Sequence, residues 1–277
     1  MINIQNLCGG YGDKEILHQI SLNLEPGKVT ALIGPNGCGK STLLKTLVGI
    51  NPFRAGEILV NDRSIKELQP KELAKSVAYL PQNKKTPDIS VLRLVLHGRF
   101  AYLNYPRKYS SEDIRIAREA LRWAGLEDLA EENVAHLSGG MQQKVYVAMA
   151  LAQNADMILL DEPTTYLDVA WQLKLLDMTK QLAGEGKGVV LVLHDLSQAL
   201  RTADRVVLMQ EGRVVSVGTP EEIYESGRLQ EVFGVQIERI RSGNLKVRAD
   251  SQARTDFQAG NRWHYVCEAL EEATGGK

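Results

Sequence analysis

Apolar and polar residues alternate in the first segments of the chain. The alternation covers residues 2–7 and, more strictly, residues 20–24, which is the two-residue period of half-buried strands. Residues 29–33 are instead almost continuously apolar, as in a strand that is covered on both faces. The pattern predicts an antiparallel patch, a turn at Pro26-Gly27, and then a buried strand.

Compact apolar segments recur later in the chain, with helical stretches between several of them. They predict strands at residues 57–60, 77–80, 157–160, 189–193 and 206–209. A glycine-rich loop after residue 33 leads into a predicted helix over residues 40–48. Strands alternating with helices indicate an α/β core.

Between residues 81 and 154 the strand pattern disappears and helix signals replace it. The segment Ser110-Ser111-Glu112-Asp113 precedes an apolar pattern of helical period over residues 114–123. We therefore expect an α-helical subdomain, at about residues 83–155, inserted into the core.

The end of the chain shows several weaker signals. They are a hairpin at residues 211–212, a last core helix from residue 219, a possible hairpin at 242–244, and a linker-like polar stretch over 248–260. Residues 263–271 fit a short amphipathic helix, a docked tail or a frayed terminus. These signals divide the chain into one domain over residues 1–245 and a C-terminal extension, flexible in character, over residues 246–277.

Charge and composition exclude several classes of protein. The 33 Lys and Arg against 34 Asp and Glu leave a net charge of -1, so no global basic field attracts nucleic acid. No apolar run approaches the roughly 20 residues of a membrane-spanning helix. The first residues lack the basic and apolar regions of a secretory signal. We expect a cytosolic protein that does not bind nucleic acid.

The glycine-rich loop fits the phosphate-binding pattern GxxxxGK[ST] between a strand and a helix. Its residues are Gly34, Pro35, Asn36, Gly37, Cys38, Gly39, Lys40 and Ser41, followed by Thr42. Backbone N–H groups and the helix N-terminus can surround phosphate oxygens. We expect Lys40 to bridge the β- and γ-phosphates, Ser41 to coordinate Mg²⁺, and Thr42 to contact the α-phosphate. By itself the loop indicates only a nucleotide binder.

Two adjacent carboxylates follow the predicted strand over residues 157–160. Asp161 suits a direct or outer-shell partner of Mg²⁺, whereas Glu162 is the candidate that polarises an attacking water. A strand that simply ends in solvated acids is the alternative. The phosphate loop upstream favours the catalytic interpretation.

A second candidate anion site lies at Leu137-Ser138-Gly139-Gly140, before a predicted helix over residues 141–152. One chain has one complete phosphate loop but two anion-binding helix starts that are far apart in sequence. A two-fold dimer resolves this mismatch. Ser138 and Gly140 of one copy would then cap the γ-phosphate held by Lys40 of the other.

From residue 2 to about residue 232 the sequence resembles the ABC ATPase family, whose motifs occur here in the family's order. The resemblance implies a P-loop NTPase cassette with a RecA-like core, an antiparallel β patch and an inserted helical subdomain. It also implies that Tyr11 stacks on adenine, that Gln82 senses Mg²⁺ and the attacking water, that His194 contacts the γ-phosphate, and that Asp168 shapes the dimer seam. Taken singly, these residues could be a packed surface tyrosine, a loop polar residue, a strand-end histidine and a helix cap.

Three residues depart from the family pattern. Met141 follows Ser-Gly-Gly where glutamine or glutamate is frequent, and Lys144 stands where arginine is common. Tyr166 replaces a small residue in the loop before Asp168. These departures affect the contacts expected around the signature segment and the dimer seam.

Residues 161–172, together with Leu96-His97-Gly98-Arg99, resemble the importer branch for iron chelates, with haem and cobalamin systems as close relatives. The resemblance implies ATP and Mg²⁺ as cofactors and a peripheral position at the cytoplasmic face of the membrane. The implied partners are a second copy of the chain, a pair of permease subunits and, indirectly, an external binding protein. Residues 84–105 are the predicted docking surface for the permease.

Two other functions compete with transport. A soluble ABC protein that acts on ribosomes or DNA usually has two fused cassettes or a coiled-coil insertion with basic extensions, and none occurs here. A P-loop kinase of a small metabolite would lack the Ser-Gly-Gly segment. The sequence therefore predicts an ATP-hydrolysing transport subunit, most specifically an importer of iron-siderophore complexes driven by ATP-dependent dimerisation.

Overall fold

The computed structural model describes residues 1–241 and 263–269 and confirms the predicted α/β class. The strands are β1 (Ile2–Tyr11), β2 (Lys14–Leu24), β3 (Val29–Ile33), β4 (Phe53–Val60), β5 (Arg63–Ser64), β6 (Val77–Leu80), β7 (Met157–Asp161), β8 (Gly188–Val192), β9 (Arg205–Gln210), β10 (Arg213–Gly218), β11 (Val235–Arg241) and β12 (Trp263–Ala269). The helices are α1 (Lys40–Leu47), α2 (Pro70–Ser76), α3 (Val91–Leu96), α4 (Ser111–Ala124), α5 (Gly139–Ala152), α6 (Val169–Gly184), α7 (Leu196–Thr202), α8 (Pro220–Glu225) and α9 (Arg228–Phe233).

The larger sheet has the strand order β10-β9-β3-β8-β7-β6. Its neighbours pair in parallel, except for the antiparallel hairpin of β9 and β10. Strands β3, β7 and β8 are buried along their whole length, which explains their continuously apolar sequences. Because parallel strands end at the same edge of a sheet, the loops after β3, β6, β7 and β8 converge there. These loops carry most of the predicted site residues.

The smaller sheet is antiparallel, has the order β2-β1-β4-β5, and confirms the predicted patch. Ile2 pairs with Leu24 on one side and with Val60 on the other. The apolar face of this sheet and helix α1 share one buried cluster with side chains of the larger sheet. Strand β4 begins at Phe53, four residues before the predicted start.

The stretch between β6 and β7 is helical, as predicted. It contains α3, α4, α5 and 3-10 turns at His97–Tyr102, Glu127–Leu129 and Val134–His136. Arg99 Nε donates to Asp113 Oδ1 at 2.9 Å, and Arg99 Nη1 donates to the Ala152 carbonyl at 3.0 Å. Through this buried ion pair and the second hydrogen bond, Arg99 joins the first turn of α4 to the end of α5. The subdomain boundaries at about residues 83 and 155 stay a prediction.

At the end of the chain, one prediction is wrong and one set of alternatives is narrowed. Helix α8 is not the last core helix, because α9 follows it. Residues 263–269 form strand β12, which contradicts the helix alternative and agrees with a docked tail. Strand β12 pairs with β11 in an antiparallel register that places Ile237 opposite Cys267. Tyr265 is buried against Tyr224, with their ring centroids 5.5 Å apart. The partner strand lies more than twenty residues upstream, so local periodicity could not reveal this pairing.

The predicted hairpin at residues 242–244 and the polar stretch over 248–260 lie outside the described residues. The division between residues 245 and 246 therefore stays a prediction. Among residues 1–241 and 263–269, no helix has the length and apolar character that crossing a bilayer requires.

Candidate nucleotide-binding site

The phosphate loop connects the buried end of β3 to the first turn of α1. Gly34 lies so close to β9 that an added Cβ would stand 2.2 Å from the Met209 carbonyl oxygen. Gly39 precedes α1 with a φ of 105°, and no side chain caps the helix there. Gly39 thus leaves the N–H groups of the first turn uncapped by its own residue, which suits phosphate binding.

Lys40 is held across the loop that it follows. Its buried Nζ donates to the Gly34 carbonyl at 2.6 Å and to the Pro35 carbonyl at 3.0 Å. The third donor of the ammonium group faces the weak sulfur acceptor of Cys38 at 3.8 Å, which a phosphate oxygen can replace. The structure thus places the predicted phosphate-binding lysine inside its own loop.

Asp161 is fully buried at the end of β7, with an exposed fraction of 0%. Ser41 Oγ donates to its Oδ1 at 3.0 Å, and the Tyr79 hydroxyl donates to its Oδ2 at 3.3 Å. Burial raises the pKa of Asp161, and the nearby Glu162 adds to this, although the two hydrogen bonds oppose it. A hydroxyl oxygen and a buried carboxylate side by side form a donor set that fits Mg²⁺.

Glu162 follows Asp161 and turns out of the strand with a φ of 51°, which is uncommon for a residue with a side chain. His194 Nε2 lies 2.6 Å from Glu162 Oε1. Both residues line one cleft of about 450 Å³ together with Gln82 and the phosphate loop. The structure therefore brings Lys40, Ser41, Gln82, Glu162 and His194 to one place, as the sequence predicts.

Tyr11 lies at the end of β1, near the start of α1, and is about half exposed. Burial would raise the pKa of its phenol, but hydrogen bonds with Asn51 and Thr42 and the charge of Lys45 lower it on balance. These neighbours place the ring on the Thr42 side of the phosphate loop. Stacking of Tyr11 on adenine stays a prediction.

The signature segment lies outside this cleft. Helix α5 begins at Gly139, two residues earlier than predicted, and Ser138 Oγ accepts the Met141 N–H at 3.4 Å. Neither Ser138, Gly139 nor Gly140 lines the cleft that contains Lys40. The departure at Lys144 is accommodated within the chain, because its Nζ lies 5.0 Å from the centre of the Trp171 ring.

Asp168 caps helix α6 and accepts the Trp171 N–H at 2.9 Å. The helix-cap role that the sequence offered as an alternative is therefore present in the single chain, and a role at a dimer seam stays a prediction. Tyr166, two residues earlier, is 80% exposed and has a φ of 66°. The loop over residues 164–168 therefore presents a large aromatic side chain to solvent.

The sequence did not identify several residues that hold the loop over residues 163–167, which follows Glu162. Gln143 Nε2 donates to the Pro163 carbonyl at 2.8 Å, and Lys84 in turn donates to Gln143 Oε1. Burial lowers the pKa of Lys84 to about 8. Gln172 Nε2 donates to the carbonyls of Thr164 and Leu167. Only the spacing of Gln172, four residues after a helix cap, could have identified one of them.

Comparison with known proteins identifies the family. The sequence profile described as ABC transporter matches residues 17–165, which is more than half of the chain. The chain belongs to the ABC transporter family. A probable siderophore transport system ATP-binding protein of Bacillus subtilis, YusV, is 42% identical over 236 residues, which cover 84% of this ABC ATPase and 86% of the relative.

Solved structures agree with this assignment. One chain of a transporter proposed to be of the metal-chelate type, in an inward-facing conformation, is 29% identical with a TM-score of 0.77, covering 97% of this chain and 98% of that one. The ATP-binding cassette MJ0796, a dimer with ADP and phosphate, is 30% identical with a TM-score of 0.71, covering 79% and 99%. ABC cassettes bind nucleotide, form dimers and couple ATP hydrolysis to transport with membrane permeases. The predicted fold and ATPase activity are confirmed.

Proposed function

We propose that this ABC ATPase drives the import of iron chelates of the siderophore class from a peripheral position at the cytoplasmic face of the membrane. The observation that carries the cargo assignment is the 42% identity to a probable siderophore transport ATP-binding protein over 84% of the chain. The structural similarity to a transporter proposed to be of metal-chelate type supports the same class. Haem and cobalamin are the cargoes from which it must be distinguished.

Uptake of radiolabelled iron tests this cargo. Cells that lack the chain should lose uptake of a ferric siderophore, and the wild-type chain should restore it. The Glu162→Gln variant should not restore it, although it is made in equal amount. Normal siderophore uptake in the deletion strain, with loss of cobalamin or haem uptake instead, would contradict the assignment.

The cleft supports a division of roles in ATP hydrolysis. Lys40 binds the β- and γ-phosphates, since its Nζ is fixed over the loop and its third donor meets only the weak acceptor Cys38 Sγ. Ser41, Asp161 and Gln82 would hold Mg²⁺, which neutralises phosphate charge. Glu162 accepts a hydrogen bond from the attacking water, and His194 orients this carboxylate at 2.6 Å and contacts the γ-phosphate. Residues 34–42 and Tyr11 bind the rest of the nucleotide.

The remaining wall of the site comes from a second copy of the chain. Ser138 and Gly139 are exposed, and neither lines the cleft of their own chain. The similarity to a cassette that is dimeric with ADP and phosphate supports a two-fold assembly. In this assembly Ser138, Gly139 and Gly140 contact the γ-phosphate of the partner's nucleotide, and Asp168 lies at the seam.

A cleft of about 610 Å³ between α2 and the 3-10 turn His97–Tyr102 supports permease docking within the predicted segment 84–105. Phe100 and Tyr105 give it exposed aromatic surface. Lys71 and Arg107 line the same cleft, and neither has a carboxylate within 4.0 Å among the described residues. The docking segment of the permease should therefore be amphipathic and carry acidic side chains.

Co-purification from detergent-solubilised membranes tests this docking. Lys71→Glu together with Arg107→Glu should release the ATPase from its permease, because both substitutions would place like charges in contact. Lys14→Glu together with Lys28→Glu, at exposed positions outside the cleft, is the matched control. Equal retention of both double variants would refute the docking surface.

A further inference from the structure

Two glutamines hold the two exposed loops in the same way. Gln142 lies four residues after the cap of α5, and its Nε2 donates to the carbonyls of Val134 and Leu137 at 3.2 and 3.0 Å. Gln172 lies four residues after the cap of α6, and its Nε2 donates to the carbonyls of Thr164 and Leu167 at 3.2 and 3.0 Å. In each case the glutamine closes the preceding loop onto the first turn of a helix.

The free oxygens of these two amides lead to different parts of the molecule. Gln142 Oε1 accepts from Thr86 Oγ1 at 3.1 Å, on the segment predicted to meet the permease. Gln172 Oε1 accepts from Gln198 Nε2 at 3.2 Å, on helix α7. Because Gln172 Nε2 already faces two carbonyls, its oxygen must point to Gln198, and Gln198 must present its amino group.

Helix α7 also positions the histidine that contacts the catalytic carboxylate. Asp195 caps this helix and accepts the Gln198 N–H at 3.1 Å. His194 directly precedes Asp195 and lies 2.6 Å from Glu162. On the other side, the Glu162 carbonyl accepts the Thr165 N–H at 3.4 Å. The contacts therefore form a closed circuit from Glu162 through α7 and Gln172 back to the loop after Glu162.

This circuit encloses backbone in uncommon conformations. Glu162 and Tyr166 have φ values of 51° and 66°. Residues with side chains keep such angles only where the surrounding structure fixes them. Gln172 fixes the second part of the segment through two carbonyls, and α7 faces the first part through His194.

We propose that Gln198 is a positioning residue for ATP hydrolysis. Through Gln172 it connects the loop over residues 164–168 to helix α7, so that His194 and Glu162 take their hydrolytic arrangement when that loop is set at the dimer seam. The inference rests on the two-fold ATP dimer proposed above. It adds a path, within one chain, from the seam to the carboxylate that activates water.

Packing alone does not explain a glutamine at this position. Gln198 Oε1 is buried, and no residue in the described part of the chain donates a hydrogen bond to it. Such an oxygen costs stability that an apolar side chain of the same length would avoid. The advantage of a glutamine over an apolar residue at this position is therefore the hydrogen bond that its Nε2 donates to Gln172.

Steady-state ATP hydrolysis by the purified full chain tests the proposal with three variants. Gln198→Met removes the donor at nearly constant shape and should lower kcat about 3- to 10-fold, the effect of one neutral hydrogen bond, with KM unchanged. Gln198→Lys keeps a donor for Gln172 Oε1 and should retain most of the wild-type kcat. Gln181→Met is the matched control, because Gln181 is an exposed glutamine of α6 whose side-chain amide donates to Glu185 on the same helix surface.

Thermal unfolding and dimer formation separate this role from a merely structural one. Gln198→Met should melt within a few degrees of the wild type, and combined with Glu162→Gln it should still form the ATP-bound dimer. A Gln198→Met chain with wild-type kcat would overturn the proposal, as would a Gln198→Lys chain that loses as much kcat as the methionine variant. A wild-type chain that hydrolyses no ATP would instead overturn the proposed function and, with it, the role of Gln198.

Discussion

The phosphate loop and the signature loop both end at a helix N-terminus, yet their surroundings differ. At the phosphate loop, the buried Lys40 donates to a backbone carbonyl of the loop, and Ser41 donates to the buried Asp161. At the signature loop, Ser138 and Gly139 are exposed, and the loop is fixed from within by Gln142. The same local device, a helix start with N–H groups available to an anion, therefore appears in two environments.

This difference separates the residues proposed to carry out hydrolysis from the residues proposed to assemble the dimer. The charges that bind phosphate and activate water in the proposed mechanism lie in one cleft, at one sheet edge of a single chain. The signature loop has no titratable group of its own at residues 138–140 and can add only dipoles and a hydroxyl. A loop of this kind can complete a site, but it cannot create one.

The largest effect should come from a change that removes the chemistry and keeps the assembly. Glu162→Gln keeps the shape of the side chain but removes the base, so kcat should fall about 10²- to 10⁴-fold while ATP binding persists. Sizing chromatography with ATP should then show a stable dimer. The exposed residue Glu132 provides the matched control as Glu132→Gln. A Glu162→Gln variant that hydrolyses ATP at the normal rate would refute the assignment of the base.

A substitution in the phosphate loop should weaken nucleotide binding itself, and not only the formation of the dimer. Lys40→Ala removes a charged donor from the phosphates, so nucleotide affinity should fall about 10- to 150-fold. Titration with a fluorescent ATP analogue measures this loss. Lys28→Ala, at an exposed position outside the cleft, is the control for removing a positive charge. Equal affinities of the two variants would show that Lys40 does not hold the phosphates.

The sequence was sufficient where an interaction is local. The order strand, loop and helix from residue 29 to residue 47 follows from one apolar run and one motif, and the structure matches it. It was insufficient where a contact joins distant segments. Strand β12 depends on β11, and the link from Gln172 to Gln198 depends on how two helices pack. No periodicity or motif encodes such pairs.

A mixing experiment tests the composite nature of the site directly. Ser138→Glu puts a negative charge against the partner's γ-phosphate and should abolish hydrolysis without changing nucleotide affinity in the monomer. Mixed in equal amounts with Lys40→Ala, it forms mixed dimers that contain one intact site, so activity should recover to about a quarter of the wild-type value. Two inactive variants that stay inactive together would mean that each site is built by one chain alone.

The smallest effect concerns Asp161, the buried carboxylate that is present beside the phosphate loop and has no counterpart at the signature loop. The folded-state pKa of Asp161 is raised by burial, so the folded chain keeps a proton that the unfolded chain releases as pH rises. The free protein should therefore lose stability as pH increases through the ordinary range of an aspartic acid and above it. Asp161→Asn, which can still accept the Ser41 hydroxyl, should remove this loss and raise the melting temperature at neutral pH by about 2–4 °C.

Thermal unfolding of the nucleotide-free chain from acid to neutral pH measures this effect. The two melting temperatures should converge at acid pH, where Asp161 is protonated in both states, and separate as pH rises. In the presence of Mg²⁺ and ATP the order should reverse, because only the wild-type carboxylate can take part in holding the metal. A cleft that is built for Mg²⁺ leaves its carboxylate poorly solvated without the ion. A wild-type chain that melts at a higher temperature than Asp161→Asn, at neutral pH and without nucleotide, would therefore contradict this account of the phosphate-loop half of the site.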